Sequence, residues 1–299
     1  LKSLREAPAL EQIYTGPILF EGQAAAELIA QKLFSNDGGL IAKRKPIYGD
    51  ARMMMFMERS SGKSLENKIE MKVVSKEMSV TAKPKTKKFN GKALIGSYEI
   101  DEEGVVPPDE LVLIEGGMLK TLLNNRIPTK EIANSNGHQR YSINGSRVRQ
   151  TVGPGVIEVD YEGGTKKADM KQALIDAAKE EGLQHAYIVR KVQSKAAGMD
   201  KKFDPSAMMS SMMGGQQKET FSKPIKIYRV DVATGEEQLV RGAELGNISV
   251  GSLKDLLSGS QEKYVYNTMH SGSGGGGMGG FYSILFGGSE SMSGIPASL

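Results

Sequence analysis

Turn-forming residues interrupt this chain so often that most of its apolar segments are too short to form helices. The turns at 36–39, 102–104 and 115–117 are built from Asn, Asp, Glu and Gly, and Gly supplies 36 of the 299 residues. Short apolar segments between such turns are typical of β-strands and hairpins. The sequence therefore predicts a chain made largely of short strands, with few helices.

Two longer segments carry the apolar spacing of a helix. The first spans 22–34. The second spans 166–181, with Thr165 placed to cap its start and Gly182 placed to end it. The residues expected on the buried faces are Ala25, Leu28, Ile29 and Leu33 in the first helix, and Met170, Leu174 and Ala178 in the second. A short third helix is expected at 252–257.

The remaining segments favour strands and loops. Strands are expected at 13–20, 156–161 and 186–192, hairpins at 111–123 and 225–240, a polar loop at 134–149, and flexible loops at 197–219 and 271–280. These elements indicate an α+β fold in which a few helices pack on a large, mostly antiparallel mixed β-sheet. We expect the whole chain, 1–299, to form a single domain.

The nucleophiles and metal ligands available to this chain are few. It has no cysteine and only three histidines, His138, His185 and His270, which lack the spacing of metal ligands. Methionine clusters at 53–57 and 208–213 suit apolar contacts better than a soft metal ion. The sequence therefore excludes disulfides and thiol catalysis, and we expect no zinc site and no other cofactor bound by its own side chains.

Charge and hydropathy limit the partners. The 39 basic and 35 acidic residues give a net charge of +4, which indicates a mixed surface instead of a nucleic-acid-binding one. The lysine-rich segment 83–88 has no interleaved aromatic residues and reads as a solvated connection. No apolar run reaches the ~20 residues that span a bilayer. We expect no nucleic acid or membrane partner, and a cytoplasmic location with the periplasm as the alternative.

Three polar residues are candidates for a functional site. Glu21 stands at the expected strand-to-helix junction, although an acidic residue near a helix start is also favoured by the helix dipole. His138 and Arg140 lie in the polar loop 134–149. The polar residues of this loop can also serve only to stabilise it through hydrogen bonds within the loop.

Four stretches, in the same order along the chain, resemble the C-terminal domain of the TldD/PmbA family, also called modulators of DNA gyrase. They are 14–28, 101–107 with 113–126, 136–140, and 235–236 with 240–247. Each stretch is short, but four in register are specific. The resemblance implies that domain's fold. It also implies that the family's N-terminal domain is absent. Because the sequence starts in mid-pattern on Leu-Lys-Ser-Leu, we expect a fragment or a mature form of a longer protein.

In this family the active subunit is a zinc metallopeptidase with a His-Glu-x-x-x-His motif and a cysteine as third ligand. The resemblance places Phe20 and Ala25 where the two histidines stand and Glu21 where the glutamate stands. The cysteine is missing as well. The chain thus resembles the PmbA/TldE type, with a vestigial motif, and zinc is expected only in a partner subunit.

The resemblance implies a catalytically degenerate domain that acts as a structural or peptide-binding partner in a metallopeptidase assembly. The partner would be a TldD-like subunit or a second copy in a dimer, and His138 and Arg140 are the candidate peptide-binding residues. One alternative is a peptide hydrolase that uses Glu21, His138 and Arg140 or an unrecognised metal. A second alternative is a protein-interaction module.

Overall fold

The structure, a computed structural model, describes residues 2–10, 13–34, 39–42, 65–144, 147–194, 221–246, 248–269, 281–287 and 290–293. The expected flexible loops at 197–219 and 271–280 lie outside these residues, as do His270 and both methionine clusters. All statements about the fold below concern the described ranges.

The structure contains three α-helices and sixteen β-strands in the ranges it describes. The helices are α1 (Lys2–Glu6), α2 (Gln23–Leu33) and α3 (Met170–Glu180). The strands are β1 (Ile18–Glu21), β2 (Met78–Ala82), β3 (Lys88–Phe89), β4 (Lys92–Ala93), β5 (Leu111–Glu115), β6 (Met118–Leu119), β7 (Gln139–Asn144), β8 (Arg147–Val152), β9 (Val156–Tyr161), β10 (His185–Val192), β11 (Pro224–Asp231), β12 (Glu237–Val240), β13 (Leu256–Gly259), β14 (Lys263–Met269), β15 (Phe281–Gly287) and β16 (Glu290–Ser293).

The strands form two six-stranded sheets. The first sheet has the order β12-β11-β10-β1-β16-β13 and the second has the order β14-β15-β9-β2-β5-β6. Only the pairs β1–β10 and β9–β15 are parallel. Two hairpins, β3–β4 and β7–β8, stand outside both sheets. The predicted α+β class with mostly antiparallel strands is confirmed, and the large sheet is divided into two.

Helix α2 lies between the two sheets, and α3 covers the other face of the first sheet. Alternation along β1 shows this layering, because Ile18 and Phe20 pack in the core that contains α2 whereas Leu19 packs against α3. Ten of the eleven α2 residues are buried. The expected burial of Leu28, Ile29 and Leu33 is confirmed. A helix enclosed on all sides cannot be moved without opening the core.

One stripe of the enclosed helix α2 is polar, and its side chains are satisfied. The Glu27 carboxylate accepts hydrogen bonds from the Tyr266 hydroxyl at 3.0 Å and from the Gln31 amide at 2.7 Å. Gln31 also bonds the Ser222 hydroxyl. Gln23 exchanges hydrogen bonds with the backbone of Val192. These contacts explain how polar groups are tolerated at a position where an unpaired one would be costly.

The ends of α3 agree only in part with the prediction. Gly182 adopts φ +70°, the left-handed conformation that ends helices, as expected. Thr165 is not the N-cap. Its hydroxyl lies 2.8 Å from the Ser258 hydroxyl, and its backbone pairs with Ser260. A 3-10 turn, Lys167–Asp169, separates it from the helix. The short helix predicted at 252–257 is present as a 3-10 helix two residues earlier, Val250–Asp255, and it leads directly into β13.

The strand predictions were better where the strands are buried. Strand 156–161 and both hairpins are confirmed, whereas the strand expected at 13–20 is confined to β1 and leaves Ile13 80% exposed. The loop predicted at 134–149 was wrong, since it contains β7 and the start of β8. That hairpin joins neither large sheet, so its sequence need not show the apolar alternation of a buried strand.

The lysine-rich connection after β2 is paired with carboxylates. Lys83 contacts Glu110 at 2.9 Å and Glu158 at 2.6 Å. Two further pairs are Lys85 with Asp109 and Lys87 with Glu99, each at 2.7 Å. These contacts offset much of the segment's positive charge. No helix in the described part of the chain is long and apolar enough to cross a bilayer.

Candidate functional site

The three positions that the resemblance aligns with the zinc motif, Phe20, Glu21 and Ala25, lie where β1 meets α2. Phe20 is fully buried and packs edge-on against Phe221, with ring centroids 5.9 Å apart. Ala25 is buried in the first turn of α2. Neither a phenyl ring nor a methyl group can ligate zinc, so these two positions contribute apolar packing in this chain. The residues present do not fit the zinc of the family motif.

Glu21 points away from Phe20. Side chains alternate along β1, so Glu21 lies on the side of the first sheet that faces α3. Its carboxylate accepts a hydrogen bond from the Arg190 Nε at 2.5 Å. The same guanidinium holds Glu237 through its two terminal nitrogens, at 2.8 and 3.2 Å, and stacks on the Tyr228 ring at 4.5 Å. Glu21 is therefore one arm of an ion-pair network.

A cleft of about 570 Å³ opens at this network, and we call it the Glu21 cleft. It is lined by Glu21, Lys167, Ala168, Lys171, Arg190 and Glu262. Glu21 and Arg190 lie near the carboxyl ends of the parallel strands β1 and β10, a common position for ligand sites in α/β sheets. Its charges are mutually compensated, because Lys171 also pairs with Glu237, at 3.0 Å.

Proton affinities in the cleft reflect these pairs. Burial alone would lower the pKa of the Arg190 guanidinium, but hydrogen bonds to Glu21 and Glu237 outweigh burial and raise that pKa. Burial would raise the pKa of Glu237, and hydrogen bonds from Arg190 and Lys171 reverse the effect and lower it. Both groups are thus fixed in their charged forms at neutral pH. A proton-transfer role for this network would require breaking an ion pair.

We predict that Glu21→Gln changes the free energy of unfolding by less than about 1 kcal/mol, because Arg190 keeps its two bonds to Glu237 and partly exposed ion pairs contribute little. Urea titration of both proteins measures this difference. The matched control is Glu237→Gln, which weakens contacts with two cations, Arg190 and Lys171, and should cost more. A larger loss of unfolding free energy for Glu21→Gln than for Glu237→Gln would contradict the view that Glu237 contributes more to the ion-pair network than Glu21.

No group of three or more His, Asp or Glu side chains in the described ranges is placed to hold a metal ion. The full sequence contains no cysteine. His185, at the start of β10, faces Asp231 across the β10–β11 ladder and has no metal-ligand neighbours of this kind.

The second candidate region joins three segments that the sequence singles out. We call it the motif junction, and it consists of residues 101–105, 124–126 and 136–140 together with Tyr98. The bonds that join the segments are Gln139 N–H to Asp101 Oδ2 (3.1 Å), Glu102 N–H to Gln139 O (3.3 Å), His138 N–H to Asn124 O (3.3 Å), Asn125 Nδ2 to Gln139 Oε1 (2.6 Å) and Arg126 N–H to Glu103 Oε2 (2.8 Å).

The imidazole of His138 is fully enclosed in the motif junction. Its Nδ1 lies 2.9 Å from the backbone oxygen of Asn136 and 3.0 Å from that residue's side-chain oxygen. Because oxygens of these two kinds only accept, Nδ1 carries the hydrogen and Nε2 presents a lone pair. Burial lowers the pKa of His138 to about 4, so the ring is neutral at physiological pH. In this conformation His138 positions its neighbours and does not reach solvent.

Arg140 occupies the more accessible side of the motif junction. Its guanidinium stacks on the Tyr98 ring at 4.2 Å and pairs with Glu102 at 3.5 Å. The side chains of Arg140 and Glu102 are 12% and 22% exposed. Burial raises the pKa of Glu102, with the nearby Arg140 acting in the opposite direction. Sequence reasoning found Arg140 and missed Tyr98, which no motif marks.

The structure does not assemble Glu21, His138 and Arg140 into one site. Glu21 bonds to residues of the first sheet, whereas His138 and Arg140 belong to the motif junction. Among the contacts of the described residues, no hydrogen bond or ion pair joins the two regions, and neither His138 nor Arg140 lines the Glu21 cleft. The catalytic trio of the hydrolase alternative is therefore not brought together in this conformation.

Solved structures with the same fold are found over nearly the whole chain. TldE from Thermococcus kodakarensis is 14% identical with a TM-score of 0.57, and the match covers 96% of this chain and 51% of that one. A candidate modulator of DNA gyrase from Thermotoga maritima is 14% identical with a TM-score of 0.56, covering 100% and 52%. Another from Bacteroides thetaiotaomicron is 10% identical with a TM-score of 0.51, covering 98% and 48%.

The TM-scores indicate a shared fold despite the low identities, and the chain spans about half the length of the structures it matches. A search of curated proteins found no significant match. A family model settles the membership, because the model of the PmbA/TldA metallopeptidase C-terminal domain matches residues 14–193, more than half of the chain. The TldD/PmbA resemblance is thereby confirmed, and the chain belongs to the PmbA/TldA metallopeptidase family.

Proposed function

We propose that this chain is a metal-independent member of its family and acts as the partner subunit of a metallopeptidase assembly. The observation that carries the proposal is the burial of Phe20 in the α2 core, at the position of a zinc-binding histidine, with Glu21 on the opposite face of β1. In this chain one motif position packs in the core and another forms an ion pair, so both have a structural role. Zinc would then be bound by the partner, a TldD-like subunit.

We also propose that the motif junction contributes to peptide binding. Arg140 and Glu102 are partly exposed, and each has one atom without a hydrogen-bond partner, Nε on Arg140 and Oε2 on Glu102, although both atoms are buried while the junction is closed. An extended peptide offers both a carbonyl and an N–H group, so one peptide unit can satisfy the pair once the junction opens. His138 would act indirectly by holding the backbone from which Arg140 projects.

The interaction-module alternative is distinguished by the identity of the partner. Four of the exposed apolar residues, Ile100, Val106, Ile127 and Tyr141, are close in sequence to the motif junction. Exposed apolar side chains suit a contact with a metallopeptidase subunit and a contact with any other protein equally. A partner that carries an intact His-Glu-x-x-x-His motif supports the metallopeptidase assembly, whereas a partner without that motif supports a general interaction module.

The experiment is to purify the chain alone and together with a zinc-motif homologue from the same genome. We expect less than about 0.1 zinc per chain when it is purified alone, and peptide hydrolysis only when both are present. One zinc per chain that survives dialysis against a chelator would overturn the proposal. Failure of the two proteins to co-purify would also count against it.

A variant test complements this experiment. The double substitution Phe20→His with Ala25→His should still give no stoichiometric zinc, because the third ligand, a cysteine, is absent from the sequence. Glu21→Gln in the assembled pair should leave peptide hydrolysis unchanged. If Glu21→Gln removes activity while the fold and the partner contact survive, Glu21 is catalytic and the partner-subunit role is wrong.

A further inference from the structure

The β7–β8 hairpin, which we call the ribbon, forms a two-stranded sheet of its own. Its ladder runs from the Gln139–Val152 pair to the Asn144–Arg147 pair. The base of the ribbon is fixed in the motif junction by Gln139, whose N–H bonds Asp101, and by Gly153, whose N–H bonds His138 O at 3.1 Å. The position of the ribbon therefore depends on whether the motif junction is closed.

Closing the motif junction leaves polar atoms without partners. In the described ranges five buried side-chain atoms lack a hydrogen bond, and four of them are here: Glu102 Oε2, His138 Nε2, Gln139 Nε2 and Arg140 Nε. Each such atom loses a hydrogen bond to water when it is buried. Opening the junction would hydrate all four. The closed state is thus held by backbone bonds and aromatic stacking against a local penalty.

The imidazole of His138 is the group whose charge state is most sensitive to closure. Arg140 on β7 and Asp101 on the preceding turn interact with it electrostatically, and the centroid of the Tyr98 ring lies 6.2 Å from that of the imidazole. Glu102 is paired with Arg140 beside it. A proton on Nε2 would create a buried N–H group without an acceptor, near the positive Arg140. Protonation and closure of the motif junction therefore oppose each other.

We propose that the ribbon is an acid-released strap: the docking of its base weakens as the pH falls below neutral, and the buried imidazole of His138 couples undocking to proton uptake. This inference does not rest on the subunit role proposed above, because it concerns the chain alone. It assigns His138 a function that a merely structural histidine would not have.

Proton linkage gives the direction in which the stability of the closed motif junction changes with pH. With the motif junction closed, the pKa of His138 is about 4, and in the open state it returns to its ordinary value of 6.5. Between these values the open state binds more protons, so the closed state loses stability as the pH falls from 6.5 to 4. Glu102 acts in the opposite sense. Its pKa is raised by closure, so proton uptake by Glu102 favours the closed state.

The test measures amide hydrogen exchange at Gln139 and Gly153 by NMR, corrected for the intrinsic exchange rate at each pH. The wild-type chain is compared with His138→Phe, in which Glu102 is retained and its effect cancels. The corrected exchange rates give the equilibrium constant for opening of the motif junction in each protein. The ratio of these constants, wild type over variant, should rise about 20-fold from pH 7 to pH 5. An unchanged ratio would overturn the proposal. His185→Asn, a substitution of a histidine outside the motif junction, should not alter the pH dependence.

A second measurement decides the matter if His138→Phe does not fold. The ring protons of His138 in the wild-type chain are followed by NMR between pH 8 and pH 3.5. We expect no change in their chemical shifts above about pH 5, while the exchange of Gln139 and Gly153 already accelerates. Titration of the ring near pH 6.5 with the amides still protected would show that closure and protonation coexist, and the strap would be rejected.

Discussion

Phe20→Ala is expected to lower the free energy of unfolding by about 3–5 kcal/mol, the usual cost of deleting a fully buried aromatic side chain. Phe20 is 0% exposed between β1 and α2 and touches the Phe221 ring. Because α2 is enclosed between two sheets, the surrounding residues have little freedom to fill the cavity. Urea titration measures the change, with the slope m expected to stay constant.

The control for this substitution is Ile13→Ala, which removes an 80% exposed apolar side chain and should cost less than about 0.5 kcal/mol. Leu28→Ala, in the neighbouring helix, should behave like Phe20→Ala because Leu28 is also fully buried. A loss below about 1 kcal/mol for Phe20→Ala would mean that position 20 does not support the core.

Gly117→Ala is expected to cost about 2–5 kcal/mol, for two reasons that add. Gly117 has φ +79°, a left-handed conformation that is strained for alanine. A Cβ at this position would also lie 2.6 Å from the Ser75 oxygen and 2.8 Å from the Val74 oxygen. Both obstacles are backbone atoms that cannot rotate away. Thermal or urea unfolding measures the loss.

Gly91 provides a matched control, because its φ of +76° is nearly the same and a Cβ there would meet nothing within 4 Å. Gly91→Ala should therefore show the conformational cost alone, about 1–2 kcal/mol. Equal losses at Gly91 and Gly117 would contradict the steric part of the explanation, and would indicate that residues 74–75 move to accommodate the methyl group.

Local patterns in the sequence predicted the elements whose residues face the core. Helix α2 follows from the spacing of Leu28, Ile29 and Leu33, and the end of α3 follows from Gly182. The start of α3 could not be predicted in the same way. Thr165 has the chemistry of an N-cap, but a bond to Ser258, 93 residues away in sequence, takes its hydroxyl. Tertiary contacts decide whether a hydroxyl caps a helix or bonds elsewhere, and these contacts cannot be read from a single sequence.

The candidate site was predictable in its residues and not in its geometry. Glu21 was placed correctly at a strand-to-helix junction, yet its ion pair with Arg190 depends on the parallel register of β1 and β10. Likewise, the motif stretches marked His138 and Arg140, but only the fold shows that residues 101–105 and 124–126 enclose them. Tyr98 carries no sequence signal, because its role comes from stacking against Arg140.

The turn at Gly22, with φ +53°, joins β1 to α2 and so determines where a zinc centre built at positions 20, 21 and 25 would lie. Imidazoles introduced at positions 20 and 25 would open into the dry interior between the two sheets, while the carboxylate of Glu21 would remain in the charged cleft across β1. Metal and base would then be separated by a layer of backbone. A zinc centre at these positions would therefore require a different chain path between β1 and α2, because exchanging side chains on the present path would leave metal and base on opposite faces of β1.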